Sequence, residues 1–208
     1  MTAQASYPDP FAGAAAACSL YVAATEGPCT EVADQVRKDI SEGMTGLPMR
    51  LALRFVDASC NPIANAKVKI WHTESSGSYT GQTPNNGFCV TDNALSSTHA
   101  FRGVQTTDDD GRVDFDSCFP GWYNGRTIHI HFTVTANGKS FTSQLVFDDT
   151  LVDEIFTSHP DYKAYGLPNT HNTNDNVVQS GNVAAFTLTV ARMSDGAMLA
   201  SKQIAANV

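Results

Sequence analysis

The chain has 208 residues, with 13 Lys plus Arg against 21 Asp plus Glu and a formal net charge of −8. That length can bury a core without a structural metal or disulfide, and an acidic chain with no basic stripe between aromatics argues against a nucleic-acid partner. No apolar run reaches bilayer length, and the small-residue stretch AGAAAAC at 12–18 lacks the basic flank and Leu-rich centre of a signal peptide, so neither a membrane partner nor an intact precursor is expected.

In chain order, residues 1–17 read as an irregular N-terminal segment, and EVADQVRKDI (31–40) is the first helix candidate. PMRLALRFVD (48–57) alternates Met49, Leu51, Leu53 and Phe55 against Arg50, Ala52 and Arg54, the period of a half-buried strand, and ends in a turn at ASCNP. KVKIWHT (67–73) sets Val68 and Ile70 against Lys67, Lys69 and Trp71, and GRVDFDS (111–117) repeats the alternation with Val113 and Phe115. From Thr73 to Arg102 the chain is rich in Gly, Ser, Thr and Asn and has little period. RTIHIHFTVTA (126–136) and SFTSQLVFDD (140–149) flank Asn137-Gly138, a hairpin signal that makes them antiparallel neighbours. DDTLVDEIFTS (148–158) is the second helix candidate, and a second long loop runs from His159 to Gly181. NVAAFTLTVARM (182–193) and MLASKQIAANV (198–208) form a closing hairpin.

Many short strands, one or two short helices and two long loops predict an all-β chain. The fold expected is an Ig- or prealbumin-like β-sandwich whose long loops carry the site. No repeat, linker or composition shift divides it, so 1–208 reads as one domain. The five cysteines (Cys18, Cys29, Cys60, Cys89 and Cys118) have no CxxC spacing, which argues against zinc. They are either buried small hydrophobes or the mark of an exported protein with up to two disulfides and one leftover thiol. The second is expected, with the pairing left open, and the chain is then a secreted mature form.

PGWYNGRTIHIHF (120–132) concentrates the chemistry. Residues two apart on a strand share a face, so His129 and His131 project together while Ile128, Ile130 and Phe132 face the opposite layer. A bare H-x-H is half a metal site, and alone it is weak evidence. Tyr123 and Arg126 lie just upstream, and WHTESSGSY places Tyr79 beyond another strand end. Phenolate with imidazole points to a hard, high-valent metal. Phenols ionise near pH 10, so holding two as anions at neutrality requires a cation such as Fe(III).

The ordered set TEGP (25–28), IWHTESSGSY (70–79), FRGVQTTDDDGRVDF (101–115), PGWYNGRTIHIHF and SQLVFDD (143–149) resembles the intradiol ring-cleavage dioxygenases, in particular the protocatechuate 3,4-dioxygenase-like secreted single-chain branch. The resemblance implies one non-haem Fe(III) per chain held by Tyr79, Tyr123, His129 and His131, with Tyr123 and His131 axial. It also implies a catecholic substrate cleaved by O2 between its hydroxyls to a muconate-type diacid. By the same resemblance Tyr123 would leave the metal with a substrate proton, Arg126 would stand near the substrate ring, and Gln144 would reach the metal face from the adjacent strand, both of them binding substrate. A tripositive ion with two phenolates and a hydroxide is neutral, so such a site can be buried. Trp71 and Trp122 read as packing residues. His72, His99, His159 and His171 are not assigned to iron, and Asp108–Asp110 read as a turn rather than a calcium site.

Two features depart from the family pattern. Cys29-Thr30 stands where many members carry a pocket-lining aromatic pair, and the Tyr123–His129 spacing is shorter than in the intracellular protocatechuate and catechol enzymes, although it suits the secreted branch; nor is there room for the helical N-terminal domain of catechol 1,2-dioxygenases. The alternative is a non-catalytic prealbumin-like binding or adhesion module, which has no need of these five residues together. A cupin-type site lacks an acidic ligand after His131. The natural catechol and the oligomeric state stay open, a homo-oligomer included.

Overall fold

The computed structural model describes residues 6–13, 18–83, 87–178 and 183–208. Parts of the predicted N-terminal segment and of both long loops therefore lie outside the described residues.

Among the described residues, eight strands form two four-stranded sheets. They are β1 (Pro48–Val56), β2 (Lys67–Trp71), β3 (Arg102–Thr106), β4 (Arg112–Cys118), β5 (His129–Ala136), β6 (Lys139–Val146), β7 (Thr189–Arg192) and β8 (Met198–Ala205). The first sheet has the order β4-β1-β8-β7 and the second β3-β2-β5-β6. All neighbours are antiparallel except β1 and β8, which run parallel.

The period-2 pattern explains how the sheets meet. Met49, Leu51, Leu53 and Phe55 of β1 turn inward with Phe115 and Met198, and meet Val68, Ile70, Ile130, Phe132 and Leu145 of the second sheet in one core. Fully burying each such side chain stabilises the fold by about 1.5–3 kcal/mol. Asn137 and Gly138 take φ of 51° and 74°, the left-handed pair a two-residue hairpin requires, so β5 and β6 are antiparallel neighbours as predicted. α1 (Asp149–Ser158) forms where expected, capped by the Asp148 carboxylate, which accepts from the N–H groups of Thr150 and Leu151.

Three expectations are corrected. Residues 31–40 do not form a helix. Gln35 and Arg37 exchange backbone hydrogen bonds with Val104 at the edge of the second sheet, and Lys38 and Ile40 do so with Asp116 at the edge of the first. A strap thus closes one side of the sandwich by satisfying the backbone groups of two edge strands, which outweighs the helical spacing of Val32, Val36 and Ile40. Only Ile40 is buried, while Val32 and Val36 are exposed. Second, β3 is absent from the predicted elements; it begins at Arg102, where the aperiodic stretch ends. Its Gly103 lies so close beneath the strap that a Cβ there would come within 2.4 Å of Ile40. Third, the segment read as a strand from 182 begins instead with a short helix, α2 (Val183–Phe186), because Phe186 turns in against Val146 and Val178, and the strand is confined to β7.

Two disulfides form, Cys18–Cys60 and Cys29–Cys89, and Cys118 is a buried free thiol. The DDDG segment is a turn whose Asp108 carboxylate accepts from the N–H groups of Asp110 and Arg112.

Candidate metal centre

The site lies on the face of the second sheet that points away from the core. Register places Trp71, His131 and Gln144 in one row across β2, β5 and β6. The Trp71 indole stacks on the His131 imidazole at 4.9 Å and 2° between planes, fixing that ring. His129 is fixed differently: Nδ1 donates to the Thr127 carbonyl at 2.6 Å, which leaves a lone pair on Nε2 facing the site.

Around that Nε2 the other donors gather. His131 Nε2 lies 3.0 Å away, Tyr123 Oη 3.3 Å and Tyr79 Oη 3.4 Å. Metal bonds of about 2.1 Å at about 90° to 110° put adjacent donors about 3.0 to 3.4 Å apart, so the three separations from His129 Nε2 are those of neighbouring donors in one coordination shell. Among the described residues no three His, Cys, Asp or Glu gather to hold a metal. The two imidazoles depend on the two phenols to complete a donor set, and hard oxygen with nitrogen donors fits ferric iron.

Distant parts of the chain deliver the two tyrosines. Tyr79 follows a tight turn after β2, and Tyr123 lies in the loop before β5. The loops are locked backbone to backbone: Gly121 N–H donates to the Glu74 carbonyl and Thr73 Oγ1 donates to the Gly121 carbonyl. A Cβ on Gly77 would sit 1.8 Å from the Trp122 carbonyl oxygen, so only glycine permits this approach. Tyr79 is 2 % exposed, whereas Tyr123 is half-buried. The backbone of Tyr79 donates to Cys89, and the Cys29–Cys89 disulfide ties that strip to the TEGP segment. Gly27 of TEGP covers His131, with room for no more than a tight 3.3 Å contact beyond its Cα.

Electrostatics follow from burial. Desolvation, reinforced by the Arg126 charge, pushes His129 down to about 3. Desolvation, then His129, then Arg126 hold His131 well below its ordinary value. Both imidazoles are therefore neutral, as ligands must be. Burial and then Tyr123 raise Tyr79 well above 10, and burial raises Tyr123 against the pull of Arg126, so each phenol needs a cation to ionise.

Arg126 and Gln144 complete the site. Arg126 Nη1 is 3.4 Å from His129 Nε2, and its Nη2 donates to Gln144 Oε1. Gln144 Nε2 donates to the Thr25 carbonyl at 2.9 Å, so this fully buried amide links the arginine to the TEGP segment. All six site residues predicted from the sequence thus converge. Trp122 packs as expected, donating from Nε1 to the Gly166 carbonyl. His72 is buried elsewhere, between Ser117 Oγ and the Thr73 carbonyl. Sequence reasoning missed Asp175, whose fully buried carboxylate pairs with Arg126 Nε at 2.8 Å. An Asp among the Asn and Thr of a loop carries no local signal of such a partner.

A family model described as dioxygenase matches residues 20–189. The fold is similar to an intradiol ring-cleavage dioxygenase from Tetranychus urticae, with 30% identity, a TM-score of 0.81, and 91% of this chain and 95% of that chain covered. Among curated proteins, a chlorocatechol 1,2-dioxygenase from Rhodococcus opacus is 28% identical over 49% of this chain and 48% of its own length. An intradiol ring-cleavage dioxygenase from Aspergillus niger is 28% identical over 64% of this chain and 47% of its own length. The chain thus matches about half the length of these curated relatives. With the model spanning most of the sandwich and both tyrosine loops, the chain belongs to the intradiol ring-cleavage dioxygenase family.

Proposed function

We propose that the protein is an Fe(III)-dependent dioxygenase that cleaves catecholic rings between their two hydroxyls, taking both atoms of O2 into a muconate-type diacid. The observation that carries the reading is the convergence of Tyr79, Tyr123, His129 and His131 on one point with Arg126 beside it. Those four residues would hold the ion. Once bound, ferric iron supplies the positive charge that keeps the phenols ionised and makes a chelated catecholate reactive towards oxygen.

The chain's own residues divide the remaining work. Tyr79 is enclosed and cannot leave its place, so it serves as the permanent phenolate. Tyr123 is half-buried in a loop that turns at Gly125 (φ 84°), so it can swing outward and carry off a hydroxyl proton from the arriving catechol. The Arg126 guanidinium stands where negative charge builds up on the ring and stabilises it, oriented by Gln144. The neutral imidazoles, one stacked on Trp71 and one fixed by Thr127, keep the donor geometry rigid through the cycle. A prealbumin-like spacer has no use for four such donors at these distances. The two disulfides support export to an oxidising compartment.

Ferric titration of the purified protein tests this reading. About one equivalent, the count a single four-donor site holds, should give a red to purple tyrosinate band that changes when catechol is added. A protein that stays colourless at saturating ferric iron would contradict it.

A further inference from the structure

Arg126 presents an electrostatic difficulty. Its guanidinium reaches within 3.4 Å of His129 Nε2, so a permanent cation stands next to the atoms that would hold a tripositive ion. Two phenolates and a hydroxide would balance the ion, so the guanidinium is the one net positive charge left over, and an unbalanced charge in a partly desolvated site is costly. Asp175 lies on the far side of Arg126. Its Oδ2 accepts from Arg126 Nε at 2.8 Å and from the Thr127 N–H at 2.9 Å, while Oδ1 accepts from the N–H groups of Val177 and Val178. Burial works against the Asp175 charge, but Arg126 and these backbone donors outweigh it and hold the carboxyl below its ordinary value.

The two oxygens do different things. Oδ1 caps a turn of its own loop, which any acceptor could do. Oδ2 faces the site, and through Thr127 it reaches the carbonyl that sets the His129 tautomer. Thr127 is held from its other side as well, Oγ1 donating to Asn172 Oδ1 at 2.8 Å.

Resting on the iron-site reading, we propose that Asp175 is a positioning residue whose carboxylate cancels the Arg126 charge, allowing a substrate-facing guanidinium and a ferric ion to share one site. The loop around 171–178 thereby governs metal affinity without contributing a ligand.

Fe(III) affinity, measured by chelator competition on the full chain, tests this in wild type, Asp175→Asn, Arg126→Gln and the double variant. Asp175→Asn is expected to weaken iron binding at least about tenfold, because the guanidinium is left uncompensated. Removing both charges together should return affinity to within about threefold of wild type, a sign of coupling that loss of packing cannot produce. Equal losses from Asp175→Asn in the wild-type and Arg126→Gln backgrounds would overturn the proposal. Should Asp175→Asn fail to fold, the double variant carries the test: iron binding retained supports it, and a folded double variant that has lost iron overturns it. If wild type binds no ferric ion, the iron-site reading falls and this inference with it. If wild type binds iron and folded Asp175→Asn binds it equally well, only the role of Asp175 is refuted.

Discussion

At the residue scale, the two tyrosines are not equivalent although their chemistry is the same. Tyr79 is enclosed and Tyr123 partly exposed, and on the proposed function the first holds the ion while the second moves a proton. Tyr123→Phe is therefore expected to keep iron but lower kcat by about 10²-fold, the usual loss for a missing general base, with an altered visible band. Tyr79→Phe should instead lose iron, which a chelator competition reads directly. If the two variants behaved alike, the assignment would fail. Tyr123, Arg126, His129 and His131 were legible because one loop and strand carries them and the strand period makes the histidines a pair, whereas Tyr79 came from a second strand end and Gln144 only from the family resemblance. Asp175 and the Trp71 stack were not, because one depends on a contact between loops and the other on the pairing of β2 with β5, and neither leaves a mark on local spacing.

At the scale of elements, the site depends on how closely two loops approach. At Gly121 an added Cβ would lie 2.4 Å from the Glu74 carbonyl oxygen and 2.5 Å from Gly77 N, both backbone atoms that cannot yield cheaply. Gly121→Ala should destabilise the fold by about 1–3 kcal/mol, the cost of overpacking, and should also reduce iron loading by spreading Tyr79 from Tyr123. A urea midpoint and iron content measured together check this, and a destabilised variant with full, tight iron binding would show that the loops move independently. The strap at 35–40 shows why the helix signal failed there. Its hydrophobic spacing suits a helix, yet the open edges of β3 and β4 offer backbone hydrogen bonds that no local reading of 31–40 contains.

At the scale of the whole molecule, the sandwich was legible from the alternation along β1, β2 and β4 and from the Asn137-Gly138 hairpin signal between β5 and β6. The covering of the outer faces was less so: Ala52, placed by its period among arginines, is buried beneath Phe11 of the N-terminal segment. Acid stability follows from buried histidines. Burial lowers His72 from 6.5 to about 4, and His129 and His131 shift the same way. The unfolded chain binds the extra protons, so stability is full above pH 6.5 and falls as pH drops from 6.5 towards 4. His72 alone accounts for about 3 kcal/mol of that loss. Urea midpoints of the iron-free protein between pH 7 and pH 4.5 should fall steadily, and a flat profile would contradict the burial of these rings.

Oxygen uptake on adding catechol to the iron-loaded protein, with the product identified, tests the central claim most directly. The account predicts one O2 consumed per catechol and an open-chain muconate-type diacid from cleavage between the hydroxyls. Cleavage beside the hydroxyls, or no uptake by a fully iron-loaded protein across substituted catechols, would contradict it.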